Sequence, residues 1–321
     1  MKIENARLAL IGGAGLVGSH IVDQLLREPV REIVIFDNFV RGTRANLQNA
    51  LRDPRVRIIE GDMCDRAQIE NAVQGMDGVF LLAALWLLQC AENPREGLSV
   101  NIDGNYNVVD ACKNANVQRV VFSSSASVYG NAVTTPMNED HPANNRTFYG
   151  ATKVALEQIL RAYNEMYRLN YVALRYFNIY GPRQDYKNAY VSVIMKVLDR
   201  IDAGQPPIIF GDGSQAYDFI YVKDVARANI LAMQSEVSDD AFNIATGIQT
   251  SINELVALLL ELMRANLKPE YREASQVFVT NRIGGVERAR EQLGFAATTD
   301  LRHGLRELIE WRAARIREER G

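Results

Sequence analysis

The first half of the chain alternates between two hydrophobic periods. Short, nearly continuous apolar runs occur at 8–11, 33–36, 56–59, 79–82, 117–122 and 171–176. Runs of that length with little polar interruption suit strands buried on both faces. Between them the apolar positions recur at helical spacing. In 19–27, Ile21, Val22, Leu25 and Leu26 share a face, and Pro29 closes the segment. A helix over about 100–114 carries Tyr106, Val109 and Ala111, and a longer one covers 154–167. Strands alternating with helices of this length predict an α/β fold with a doubly wound parallel sheet.

The second half is less regular. Gly181-Pro182-Arg183, 205–207 and Gly211-Asp212-Gly213 read as loops. A strand at 219–222, a helix at 225–233 and a strand at 242–245 follow. Ser251-Ile252-Asn253-Glu254 is a capping box opening a helix to about 263. The chain closes on an amphipathic helix, 301–317, with Leu305, Leu308, Ile309 and Trp311 on its apolar side. The expected organisation is a Rossmann-type dinucleotide-binding domain at 1–176, to which 214–245 returns. A smaller, interleaved α/β substrate-binding domain takes 177–213 and 246–321.

The first strand leads into a glycine-rich turn, LALIGGAGLVG, ending at Gly18. Gly12, Gly15 and Gly18 are spaced by three, and Gly13, Gly15 and Gly18 fit the dinucleotide fingerprint. A tight turn needs positive φ, a pyrophosphate needs backbone without a Cβ, and a helix N-terminus offers N–H donors. The second strand delivers Asp37, 19 residues after Gly18, placed to accept bonds from adenosine ribose hydroxyls. Its charge repels a 2′-phosphate, which favours NAD over NADP, although Arg41 and Arg44 follow closely. Asp62, beyond the third strand, either contacts adenine or caps a helix around 67–73. Ala83 and Ala84 are small enough to let a cofactor lie close. The apolar stretch 85–88 after them lines a pocket or packs internally, with Trp86 the less settled member. The expected cofactor contacts are Gly12, Gly15, Leu16, Val17 and Gly18 at the turn, and Asp37 and Asn38 after the second strand. Asp62, Met63, Leu82, Ala83 and Ala84 complete that set with Tyr149 and Lys153, described below.

Composition narrows the partners. The 321 residues are 47% hydrophobic, enough for a sizeable core, and the formal net charge of -3 argues against nucleic acid or an anionic membrane as ligand. Three cysteines show no metal-type spacing and fit a reducing compartment, so no metal site is expected. The longest apolar run, 79–88, is shorter than the ~20 residues a bilayer needs, and no secretory signal is visible. A cytoplasmic protein is the expectation.

Tyr149 and Lys153 stand four apart in YGATK, and Tyr149 alone among 13 tyrosines has a lysine at that spacing. Four residues put both side chains on one helical face. An ammonium beside a phenol, with a nicotinamide cation nearby, lowers the phenol below its ordinary value of ~10. Such a tyrosine can take a proton from a substrate hydroxyl while the same carbon is oxidised. Ser125, closing the run Ser123-Ser124-Ser125 at a strand end, can bond the same oxygen.

The chain here resembles the extended short-chain dehydrogenase/reductases, in the nucleotide-sugar epimerase/dehydratase family, and is most similar to the UDP-glucose 4-epimerase branch. The motifs GGAGLVG, VFSSSASVYG, YGATK, LRYFNIYGPRQ and GDGSQAYDFIYVKDVA carry the resemblance across nearly the whole chain. It implies bound NAD, a nucleotide-diphosphate sugar as substrate, and Ser125, Tyr149 and Lys153 as catalytic residues. It also implies Asn178 as a substrate ligand in the loop after the sixth strand, and a homodimer formed through a helix pair. Relatives that dehydrate carry Asp-Glu after the catalytic Ser or Thr, where this chain has Ala126 and Ser127. The constellation therefore supports oxidation and reduction at one carbon, which a 4-epimerase requires. The family's usual His at the fourth strand is Leu81, and its pyrophosphate arginine is Tyr217, while Arg282 resembles the second phosphate arginine. A tyrosine donates one hydrogen bond without neutralising phosphate. Two alternatives thus accompany NAD-dependent epimerisation at C4: a net oxidoreductase on a related hydroxyl substrate, and a non-catalytic dinucleotide-binding module.

Overall fold

The computed structural model describes residues 1–186, 192–273 and 281–320, so 187–191 and 274–280 of the expected substrate-binding domain lie outside the described residues. The first half contains β1 (Arg7–Ile11), α1 (Leu16–Leu25), β2 (Glu32–Asp37), β3 (Val56–Glu60), α2 (Arg66–Val73) and β4 (Gly78–Leu81). It continues through α3 (Leu87–Glu92), α4 (Pro94–Leu98), α5 (Asn105–Asn114), β5 (Arg119–Ser125), α6 (Phe148–Tyr167) and β6 (Tyr171–Tyr176). Then come β7 (Asn178–Tyr180), α7 (Val193–Asp202), β8 (Ile208–Phe210), β9 (Ala216–Tyr217), β10 (Phe219–Tyr221), α8 (Val222–Gln234) and β11 (Asp240–Ile244). The chain ends with β12 (Thr250–Ser251), α9 (Ile252–Leu262), β13 (Glu270–Arg272), β14 (Asn281–Arg282), α10 (Glu287–Leu293) and α11 (Leu301–Arg320).

Seven strands form one parallel sheet in the order β11-β6-β5-β4-β1-β2-β3. Successive side chains on each strand point to opposite faces, and both faces are covered. Leu8, Leu10, Ile33, Ile35, Val121 and Leu174 pack with Ile21 and Val22 of α1 and Val225 of α8. Ala9, Ile11, Val34, Phe36, Val120 and Phe122 pack with Ile69 of α2, Val108 of α5 and Leu156 of α6. Each buried Val, Leu, Ile or Phe among them contributes roughly 1.5–3 kcal/mol through removal from water. The sheet's order reverses between β1 and β4, and the crevice at such a point is where ligands of these sheets bind.

A second core joins Tyr180, Leu198 of α7, Phe219, Leu255 of α9, and Leu305 and Leu308 of α11. It draws on both sides of the expected domain boundaries. Within 214–245, β11 lies in the large sheet, whereas β10 pairs with β7. Ala289, Leu293 and Phe295, from the stretch assigned to the substrate domain, pack instead in the core of the large sheet.

Three local readings are corrected. α6 starts at Phe148 rather than 154, because Thr147 Oγ1 caps it by accepting from Gly150 N at 3.0 Å. Tyr149 and Lys153 therefore lie in its first two turns. Asp65, not Asp62, caps α2, accepting from Gln68 N at 3.2 Å. The helix expected over 100–114 opens with a π-helical turn, Ser99–Gly104, before α5.

Candidate active site

The crevice is a cavity of about 1140 Å³. Its floor is the glycine turn: Gly12, Gly15, Leu16, Val17 and Gly18 line it. Gly12 has φ +85°, and a Cβ there meets Ala83 N at 2.7 Å. A Cβ at Gly15 meets only Gly12 O, at 3.5 Å, so a side chain there would project into the cavity. Gly15 is also the N-cap of α1, with no side chain capping the helix amides. This is a cradle suited to a pyrophosphate.

One end is closed by Asp37, Asn38, Asp62 and Met63. Asp37 accepts from Ala14 N at 2.9 Å on one oxygen and from Phe39 N at 2.9 Å on the other. Burial raises its carboxyl above the ordinary value and these two amides draw it back. A carboxylate has about four acceptor positions, so it keeps capacity for ribose hydroxyls. Asp62 lines the cavity while accepting from Cys64 N at 2.9 Å. Leu82, Ala83, Ala84 and Trp86 form a wall, and Leu87 and Leu88 turn into α3 half-buried. Arg41 lies over the Trp86 ring at 4.9 Å and pairs with Asp185 at 3.6 Å.

Tyr149, Lys153 and Asn178 line the same cavity, Asn178 opening β7 rather than standing in a loop. Lys153 Nζ donates to Ser123 O at 2.7 Å and lies 5.5 Å from the Tyr149 ring centroid. Burial lowers the ammonium to about 8, and Cys90 and Glu157 partly restore it. The phenol of Tyr149 moves opposite to the sequence expectation. Burial pushes it up to about 12, and the groups that pull it down are Ser125 and Arg282. In the chain by itself, Lys153 directs its ammonium to a backbone carbonyl, so it does not supply the expected lowering.

Ser125, Tyr217 and Arg282 are not among the cavity's lining residues. Ser125 stands at the end of β5 and accepts from Ser127 N at 3.1 Å. Tyr217 and Arg282 are register neighbours on paired parallel strands β9 and β14. Burial lowers Arg282, the nearby Tyr217 and Tyr149 phenols favour its charge, and its Nε is buried with no hydrogen-bond partner among the described residues.

Sequence reasoning missed Asn101. In the π-helical turn, its Oδ1 accepts from Leu85 N at 2.7 Å and its Nδ2 donates to Leu85 O at 2.8 Å. The same Nδ2 reaches Thr152 Oγ1 at 3.3 Å, tying the cavity wall to the helix of Tyr149 and Lys153. Its signal was an asparagine inside a helical stretch, where that residue is otherwise unfavourable.

Residues 8–245 match the NAD dependent epimerase/dehydratase family. The chain belongs to that family. A putative UDP-glucose 4-epimerase of Methanocaldococcus jannaschii is 32% identical over 308 residues, covering 95% of this chain and 97% of that one. The structure of a UDP-N-acetylglucosamine 4-epimerase from Methanobrevibacter ruminantium, in complex with UDP-N-acetylmuramic acid, matches with TM-score 0.92 and 34% identity over 97% of this chain and 99% of that one. A UDP-glucose 4-epimerase from Thermotoga maritima, solved with UDP-glucose, matches with TM-score 0.90 and 30% identity, covering 97% and 99%. The fold is thus that of the extended short-chain dehydrogenase/reductases, and the protein is an NAD-dependent enzyme of the epimerase/dehydratase family. Among the described residues no helix is long and apolar enough to cross a membrane.

Proposed function

We propose that the protein inverts C4 of a UDP-linked sugar, with Ser125, Tyr149 and Lys153 as its catalytic residues. The observation that carries this reading is a phenol and an ammonium on one face of α6 at the cavity wall, with no acid or base at the two positions after Ser125. Ala126 and Ser127 are both buried. The similar chains from M. jannaschii, M. ruminantium and T. maritima, all named as 4-epimerases, support the same carbon.

When bound, NAD supplies the reversible two-electron acceptor that inversion of a carbinol carbon needs. Gly15 and the α1 N-terminus would hold its pyrophosphate, and Asp37 its adenosine ribose. Tyr149 takes the C4 hydroxyl proton as the sugar becomes a 4-keto intermediate and returns it after the sugar presents its other face. Ser125 holds the same oxygen, and Lys153 keeps positive charge beside the phenol. Arg282, whose Nε has no partner among the described residues, binds the diphosphate beside Tyr217, and Asn178 holds the sugar side of the substrate. The Rossmann-type domain at 1–176 and 214–245 carries the cofactor, and most of 177–213 and 246–321 carries the substrate. The protein acts in the cytoplasm as a homodimer, its three cysteines free thiols.

The test is conversion of UDP-glucose, UDP-galactose and their N-acetyl and uronic forms with no added cofactor, products resolved by NMR. Interconversion of one 4-epimer pair is expected. Tyr149→Phe should retain NAD and lose activity by at least ~100-fold, the scale of a proton-transfer contribution. Full activity in that variant would sink the mechanism. A second reading, net oxidation of a related hydroxyl substrate, is favoured by the single cation of the Tyr217–Arg282 pair. Steady NADH production without a UDP-sugar would establish it.

A further inference from the structure

We infer that Glu157 is a positioning residue of this active site, its carboxylate tying α6 to β5 and setting the electrostatic field at Lys153. Residues 149, 153 and 157 occupy successive turns of α6 on one face. Each meets one residue of the serine run on β5. Tyr149 faces the Ser125 hydroxyl. Lys153 Nζ donates to Ser123 O at 2.7 Å. Ser124 Oγ donates to Glu157 Oε1. The serine run therefore holds the helix against the strand that carries Ser125 at three points.

Glu157 is only 8% exposed. Arg175 of β6 clamps it through both carboxylate oxygens, Nε to Oε1 at 3.0 Å and Nη2 to Oε2 at 2.7 Å. The other Arg175 nitrogen, Nη1, is held by Tyr129 Oη at 2.9 Å and Glu139 O at 2.8 Å. A carboxylate fixed this firmly, in a medium of low polarizability, acts on neighbouring charges more strongly than it would in water. One turn away is Lys153, whose charged form burial disfavours.

The groups around Lys153 are few. Tyr149 and Glu157 share its helix, Cys90 faces it from α3, and β5 offers the Ser123 carbonyl and the Phe122 ring at 4.9 Å. Tyr176 of β6 is buried nearby, its hydroxyl bonded to Ser123 Oγ at 2.9 Å. Of these, only Glu157 is a carboxylate. Removing it takes away a group that keeps the ammonium protonated and leaves the Arg175 cation without its carboxylate, and both changes act in the same direction.

The experiment follows two quantities in wild type and Glu157→Gln. One is the pH profile of kcat for the sugar nucleotide that wild type converts. The other is the pH dependence of Lys153 acylation by acetic anhydride in the protein as purified, read by peptide mass spectrometry; Lys153 is only 4% exposed but lines the cavity, which is the route for a small reagent. Both the alkaline limb of kcat and the acylation midpoint should move down by about one pH unit. Glu157→Asp, which keeps the charge, should hold both near wild type even if kcat falls. Should Glu157→Gln not fold, the double variant Glu157→Gln with Arg175→Met removes both charges and should shift the midpoint in the same direction by less. A fall in kcat with the acylation midpoint and the alkaline limb both unmoved would overturn the inference. The acylation readout needs no turnover, so it stands apart from the choice of substrate.

Discussion

Lys153 holds a positive charge where its surroundings work against it. Burial lowers the ammonium from 10.5 to about 8. Between those values the unfolded chain binds more protons than the folded one, so this residue makes stability rise with pH across that window. Below about 8 its contribution is a fixed cost. Lys153→Met replaces the cation with an apolar chain of similar reach and removes that cost. Its thermal midpoint near neutral pH should equal or exceed that of wild type, and the difference should shrink as pH rises from 8 to 10.5, while turnover falls by at least ~100-fold. Calorimetry across pH, paired with the conversion assay, checks both. A variant less stable than wild type at pH 7 would mean that the Ser123 hydrogen bond and the ring contacts outweigh desolvation.

At the scale of elements, the site depends on how two helices begin. α6 carries its chemistry in its opening turns because Thr147 caps it there. The chain before it leaves its helical run at the π-turn that aims Asn101 at Leu85. Asn101→Ala would strand the buried amide of Leu85 and leave its carbonyl only the weak Cys90 thiol donor at 3.6 Å, at about 1–3 kcal/mol. The expected result is a lower thermal midpoint together with weaker NAD retention, since Leu85 adjoins Ala83 and Ala84 on the cavity wall. A loss of stability with NAD retention unchanged would limit Asn101 to a structural part. The strands, the glycine turn and the Tyr149–Lys153 pair were legible because each is a local pattern: period, spacing or a residue type the backbone demands. The start of α6 and the π-turn were not, because a cap and a bulge are decided by single hydrogen bonds. The direction of the Tyr149 shift was hidden for another reason. Spacing put an ammonium beside the phenol, but only the fold shows that Lys153 is turned to Ser123 O and that burial dominates.

For the whole molecule, the large sheet and the second core meet at one cavity, and the helix that carries Tyr149 and Lys153 on one side presents another side to solvent. There, near the C-terminal end of α6, Met166 is 65% exposed and Tyr167 46%, and Tyr106 of α5 is 41% exposed. Tyr163 stacks edgewise on Tyr106 at 6.1 Å and on Tyr167 at 5.1 Å, and Lys113 of α5 lies over Tyr167 at 4.8 Å. An exposed aromatic cluster of this kind, spanning two packed helices, suits burial against a second copy. This face is where the homodimer proposed above is tested. Light scattering should give twice the mass of one chain. Met166→Lys with Tyr167→Lys should give the mass of a single chain, because four charges would then meet across a two-fold axis with nothing to pair them. Tyr149 and Lys153 of α6 line the cavity, whereas Met166 and Tyr167 do not, so the monomeric variant should keep its NAD. Its thermal midpoint should lose the dependence on protein concentration that a dimer confers. A double variant still twice the chain mass would move the interface to another face, and a wild type of single-chain mass would leave the cluster without that partner.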